Sequence, residues 1–132
     1  YAMAAGQAML ETIAKEKLVE NAAEQGEYIS VQLRGLCQNY SDILGEVRGK
    51  GLYIGVEVSK HLPDPGAAAM EMKRSMLERQ IIMERGGRQG AVLRILPPLT
   101  LTREICDRFL NSFSDVLASY ASQTGVKKHV SC

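Results

Sequence analysis

Arg94 is the residue whose surroundings ask for chemistry. It stands in Gly86-Gly-Arg-Gln-Gly-Ala-Val-Leu-Arg-Ile-Leu-Pro-Pro-Leu-Thr-Leu-Thr102, inside an apolar run that a double proline ends. Alternation puts Val92, Arg94 and Leu96 on one face of a strand and Ala91, Leu93 and Ile95 on the other. Two readings of that pattern stand open. Either the arginine lies on an exposed face with its stem over Val92 and Leu96, or a rigid strand holds its planar fork out to an anion such as a carboxylate. Arg48, Lys50, Arg85 and Arg88 fall where loops are expected, and solvation suits them there.

Other groups point to less. Gly49-Lys-Gly-Leu-Tyr-Ile-Gly55 is one residue off the dinucleotide fingerprint and precedes a strand. Pyrophosphate binding needs a helix N-terminus after the glycines, so these glycines are expected to allow positive φ and close backbone approach at the strand's start. Cys37, Cys106 and Cys132 are odd in number and far apart, which excludes a CxxC metal site and reads as free thiols in a reducing compartment. His61 and His129 lack a second ligand at metal spacing and read as surface residues. There is no Ser/His/Asp set, no close carboxylate pair and no lysine in an apolar stretch. By itself the chain holds no complete catalytic apparatus.

The elements that must position Arg94 follow from periodicity. Residues 2 to 37 carry a helical stripe of Leu10, Ile13, Leu18, Ala22, Gly26, Ile29, Leu33 and Leu36. One unbroken helix of that length would run about 54 Å at 1.5 Å per residue, too long for a domain of this size. A break at Gly26, or a larger body under its first half, is expected. After a loop near 39–45, Leu52, Ile54, Val56 and Val58 alternate as a strand. Asp64-Pro65 caps a helix with Ala69, Met72, Met76 and Leu77 on its apolar face. Ile81 to Met83 and Ala91 to Leu96 read as two further strands. Thr102 caps a last helix, with Ile105, Phe109, Phe113, Val116, Leu117 and Tyr120 inward. The fold class is α+β: a long N-terminal helix, then a small, mainly antiparallel three-stranded sheet covered by helices. The expected division is an inter-domain helix over 1–37, a small domain over 38–120 and a flexible tail over 121–132.

With 132 residues, the chain is one domain's worth. A net charge of +1 with no basic stripe argues against nucleic acid as a partner. No apolar run is long enough to span a membrane as a helix, and no secretory signal pattern opens the chain. A cytoplasmic location is the matching expectation. The chain starts on Tyr1 and enters helix-forming sequence at once, so a piece of a longer protein is expected.

"VRGKGLYIGVEV" and, after a helix, "IIMERGGRQGAVLRILPPLTLTREICDRFL" resemble the C-terminal part of class III, fold-type I, pyridoxal-phosphate-dependent aminotransferases. The opening residues are similar to the long helix by which that family passes from its large domain into its small one. Within the class, "GGRQGAVLRILPPLTLT" most resembles diaminobutyrate–2-oxoglutarate aminotransferases, with ornithine and 4-aminobutyrate aminotransferases as near relatives. The resemblance implies a parent enzyme that moves an amino group from a diamino acid, L-2,4-diaminobutyrate, to 2-oxoglutarate. It implies a homodimer, a large domain upstream that carries the Schiff-base lysine and the pyridoxal 5'-phosphate site, and no cofactor ligand in this segment. It also implies that Arg94 binds the acceptor's carboxylate, and that an upstream glutamate covers this arginine while the donor reacts. The alternative is a standalone, non-catalytic α+β ligand-binding or interaction module.

Overall fold

Two helices, not one, build the N-terminal stripe. The computed structural model describes residues 1–125, in which α1 spans Ala2–Lys15 and α2 spans Leu18–Asn39. The break falls at Lys17, which takes a left-handed conformation (φ 51°). The expected break at Gly26 is corrected: Gly26 is buried within α2, and a Cβ there would come 2.2 Å from the Gly51 carbonyl oxygen. Its lack of a side chain serves close approach, not a kink.

That approach seats α2 on a hairpin formed by β1 (Leu44–Lys50) and β2 (Tyr53–Val58). The hairpin turn uses Gly51 at φ 55°, and Gly49 sits where a Cβ would strike the Tyr53 carbonyl oxygen. β1 is absent from the sequence reading, which gives three strands where the described residues form four in the order β1-β2-β4-β3. Its alternation is hidden because Leu44 and Val47 are its only large apolar residues and the pairing register shifts between them.

After β2, α3 (Pro65–Glu78) starts as expected: Ala67 donates its N–H to the Asp64 carboxylate at 2.9 Å, with Pro65 in the first turn. Ala69, Met72 and Met76 are buried, whereas Leu77 faces outward. The third element of the sheet, β3, is Glu84–Gly86 and not Ile81 to Met83. Its ladder begins at Glu84 opposite Arg94 on β4 (Val92–Ile95). Continuing that register would set Ile81 against Pro97, which has no N–H to donate. Thr102 occupies the N-cap position of α4 (Arg103–Thr124), although its hydroxyl makes no capping bond. α4 runs past the expected end at Tyr120 and buries Ala121; residues 126–132 of the expected tail lie outside the described residues.

All strand pairs are antiparallel. α2 and α3 lie against one face of the sheet, and α4 packs on both helices. The core gathers Ile29, Leu33, Ile54, Val56, Met72, Met76, Leu93, Phe113 and Leu117, each almost fully buried. α2 and α4 are also clamped by polar contacts. The Tyr28 hydroxyl donates to Asp107 at 2.5 Å, and the Arg103 guanidinium lies 3.6 Å above the Tyr28 ring while pairing with Glu24 at 3.2 Å. The bond to Asp107 raises the Tyr28 pKa, because the carboxylate favours the protonated phenol. Asn21 donates to the Leu99 and Leu101 carbonyls at 2.8 and 2.9 Å, fastening the segment that leaves β4 to α2. Among the described residues no helix is long and apolar enough to cross a membrane.

By contrast, α1 buries none of its residues, and Met3, Met9 and Leu10 are largely exposed. A helix of this length without packing is marginal in water. In hydrogen exchange, amides of α1 should exchange far faster than those of β4; equal protection would show that α1 is held by contacts outside this fold. Gly26→Ala should destabilise the chain by about 1–3 kcal/mol, the cost of forcing an extra methyl into a packed contact. Urea unfolding measures it, and a neutral result would mean that α2 does not rest on the Gly51 carbonyl.

Candidate functional site

The face of the sheet away from the helices carries a row that crosses every strand. Pairing aligns Arg48 on β1 with Gly55 on β2, Gly55 with Arg94 on β4, and Arg94 with Glu84 on β3. Cross-strand partners share a face, and Leu93 and Ile95 on either side of Arg94 are buried on the opposite one. Of the two sequence readings, neither is complete. Arg94 is on the outer face, as the plain reading has it, yet it is half-buried, and its Nε is shut off from solvent with no hydrogen-bond partner among the described residues.

The other half-buried arginines are all satisfied. Arg79 donates to the Ser75 carbonyl at 3.0 Å, Arg85 to the Gly66 carbonyl at 3.1 Å, and Arg103 pairs with Glu24. Neighbouring carboxylates on the outer face are engaged elsewhere: Glu84 pairs with Lys73 at 3.5 Å and Glu57 with Arg48 at 3.1 Å. Among the described residues no carboxylate pairs with Arg94. A guanidinium so placed keeps its terminal nitrogens open for an anion with two acceptor oxygens. Buried unpaired donors are uncommon in native folds and cluster at functional places.

The remaining sequence candidates are distributed as follows. Arg48 and Lys50 belong to β1 and not to a loop, and Arg48 is ion-paired. Arg85 is no solvated loop residue either, since its side chain bonds the start of α3. Arg88 is exposed in a 3-10 turn over Arg88–Gly90, and His61 is exposed. Cys37 and Cys106 are free thiols; burial pushes Cys37 up to about 11 and Cys106 upward as well, so neither is a nucleophile near neutral pH. His129 and Cys132 lie outside the described residues. An apolar cavity of about 350 Å³ between α2, α4 and the end of β4 is lined by Ile29, Ile82, Ile95, Pro97, Ile105 and Phe109. No group of His, Cys, Asp or Glu among the described residues is arranged to hold a metal ion.

The sequence model of the aminotransferase class-III family matches residues 1–117. The chain belongs to the class-III aminotransferases. Among curated relatives of this class-III chain, the diaminobutyrate–2-oxoglutarate aminotransferase of Rhizobium meliloti is 38% identical over 96% of this chain and 28% of its own length. The alanine/serine racemase of Pyrococcus horikoshii is 42% identical over 81% of this chain and 23% of its own. The solved structure of a phospholyase from Arthrobacter in complex with phosphoethanolamine superposes with a TM-score of 0.81 at 33% identity, covering 88% of this chain and 28% of that one. The chain thus spans about a quarter of the length of these relatives.

Class-III aminotransferases depend on pyridoxal phosphate, and the lysines among the described residues do not suit its Schiff base. Lys15, Lys17, Lys50 and Lys60 are exposed, and Lys73 is tied to Glu84. None stands in the apolar pocket that activates a nucleophilic lysine.

The unpaired Nε has a consequence for stability. Replacing Arg94 with methionine, of similar length and no charge, removes a buried donor that nothing satisfies. Arg94→Met should leave the unfolding free energy unchanged or raise it by up to about 1 kcal/mol. Urea denaturation would read a loss of about 2 kcal/mol or more as proof that Arg94 has a structural partner.

Proposed function

We propose that this chain is the small C-terminal domain of a pyridoxal-phosphate-dependent aminotransferase that moves an amino group from L-2,4-diaminobutyrate to 2-oxoglutarate. In this reading Arg94 receives a carboxylate of the acceptor. One observation carries it: a half-buried guanidinium on an inner strand, without a partner among the described residues, while its neighbours are paired off. Two parallel N–H donors from a rigid strand fix both the position and the plane of a carboxylate. A flexible ammonium would supply charge without that orientation.

The cofactor, when bound, supplies the electron sink for the amino-group chemistry. Its lysine and its phosphate contacts are assigned to a large domain of the same polypeptide, which α1 is suited to meet through its exposed apolar positions. A homodimer, a cytoplasmic setting and small amino and oxo acids as substrates, with no nucleic acid or membrane partner, complete the reading. The choice of diaminobutyrate as donor rests on the likeness of "GGRQGAVLRILPPLTLT" to enzymes of that name and on the Rhizobium relative. The racemase relative favours a second reading, a racemase of small amino acids, in which no oxo-acid acceptor is consumed.

Kinetics of the full-length enzyme containing this chain tests both. Amino transfer from diaminobutyrate to 2-oxoglutarate is expected, and racemisation of alanine or serine without it would replace the first reading by the second. Arg94→Ala should lower kcat/KM of the acceptor half-reaction by roughly 10- to 150-fold, the equivalent of about 1.5–3 kcal/mol for a hydrogen bond to a charged group. The donor half-reaction should suffer less, because the donor's reacting end is an amine. Arg94→Lys should recover only part of the loss. Small, equal losses in both half-reactions would return Arg94 to the role of a strand residue that merely covers its neighbours.

A further inference from the structure

Arg94 lies against a position that carries no side chain. Gly86, the last residue of β3, pairs with Val92 and is thus diagonal to Arg94 on the same face. A Cβ built on Gly86 would lie 3.2 Å from Arg94 Nε, 3.3 Å from Cζ and 3.5 Å from Cδ. The guanidinium and its last methylene therefore lie against the bare Gly86 backbone, and a methyl there would push them back by a few tenths of an ångström. Gly86 is not needed for its backbone: it is absent from the positive-φ glycines, whereas the adjacent Gly87 has φ 73°. Glycine in an extended strand costs conformational entropy and packs nothing, so some other demand keeps the position empty.

We propose that Gly86 is a positioning residue for Arg94: its missing Cβ lets the guanidinium lie down over β3, with Nε inward and the terminal nitrogens left free for a carboxylate. This rests on the reading of Arg94 as a carboxylate ligand. It adds that affinity for the anion depends on a residue that never touches it. The neighbour that must yield to a methyl at position 86 is the far end of a flexible side chain and not backbone. The fold can accept alanine there, and the cost falls on where the fork points. Gly66 and Gly49 behave differently: a Cβ there would meet backbone carbonyls at 2.4 and 2.1 Å, so a substitution damages the fold itself.

The test uses the whole 132-residue chain, labelled with nitrogen-15, and follows the side-chain Nε–Hε resonance of Arg94. Arg94→Lys identifies that resonance by its loss, and glutarate, a five-carbon dicarboxylate, is the probe. In the parent chain the resonance should shift saturably with glutarate. Gly86→Ala should keep or raise the melting temperature, displace the Arg94 resonance before any ligand is added, and weaken glutarate binding by roughly ten-fold or more, the loss of one charge-assisted hydrogen bond. Gly86→Val should do more of the same, since its branches reach further into the space. An unmoved resonance with parent-like affinity in Gly86→Ala would overturn the positioning role while leaving the carboxylate reading intact. A melting temperature several degrees lower in Gly86→Ala would make the residue structural and would also overturn it. If the parent chain shows no glutarate-dependent shift at Arg94, the carboxylate reading falls and this inference with it.

Discussion

Close approach between helix α2 and the β1–β2 turn is the contact from which the rest of the domain is arranged. It exists because two glycines meet: Gly26 presents bare backbone, and Gly51 turns its carbonyl towards it from a left-handed conformation. With α2 held against the hairpin, Ile29 and Leu33 reach the core face of the sheet, and Asn21 and Tyr28 reach the other end of the chain. Packing at this density leaves little freedom to adjust. The helix therefore dictates which face of the sheet is covered and which is left open.

The open face is where the charge lies, and the division of labour on it follows from simple pairing. Arg48 and Glu57 neutralise one another on the outer pair of strands, and Lys73 holds Glu84 on the other side. Between them Arg94 has a glycine across the ladder and a glycine on the diagonal. The two glycines remove walls, and the two ion pairs remove competitors. What is left is a cation with a vacant donor set on a part of the fold that cannot bend towards a partner. That is a poor arrangement for stability, since a buried donor without an acceptor costs about 1–3 kcal/mol. It suits a residue whose acceptor arrives from elsewhere.

The polar links between α2 and α4 bear on the same site from behind. β4 ends at Ile95, Pro97 and Pro98 follow after Leu96, and the Asn21 amide then holds the Leu99 and Leu101 carbonyls. Tyr28, Asp107, Arg103 and Glu24 join the two helices in one chain of contacts. A strand whose exit is fastened to α2 and leads into α4, with those two helices anchored to each other, is held in its register. For a residue that must meet a planar anion, such rigidity matters more than the strength of any single contact.

Much of this was legible in the residues. Alternation located β2 and β4, the Asp64-Pro65 signal located the start of α3, and the double proline located the end of β4, because each rests on a local steric or hydrogen-bonding rule. The same residues marked Arg94 as the one charge set inside an apolar strand. Three things were not local. β1 has too few apolar residues to show a period and is a strand only because β2 lies beside it. The helix broke at Lys17, where no glycine or proline advertises it, while Gly26 was kept straight by its neighbour. And nothing local marked Gly86, since a sequence cannot say whose side chain will lie against a glycine. The sequence alone determined the type of each residue and the period of most elements. Only the tertiary structure decided that Arg94 would be half-buried, unpaired and given room by Gly86, because those properties depend on strands that meet across the sheet and on carboxylates that found other partners.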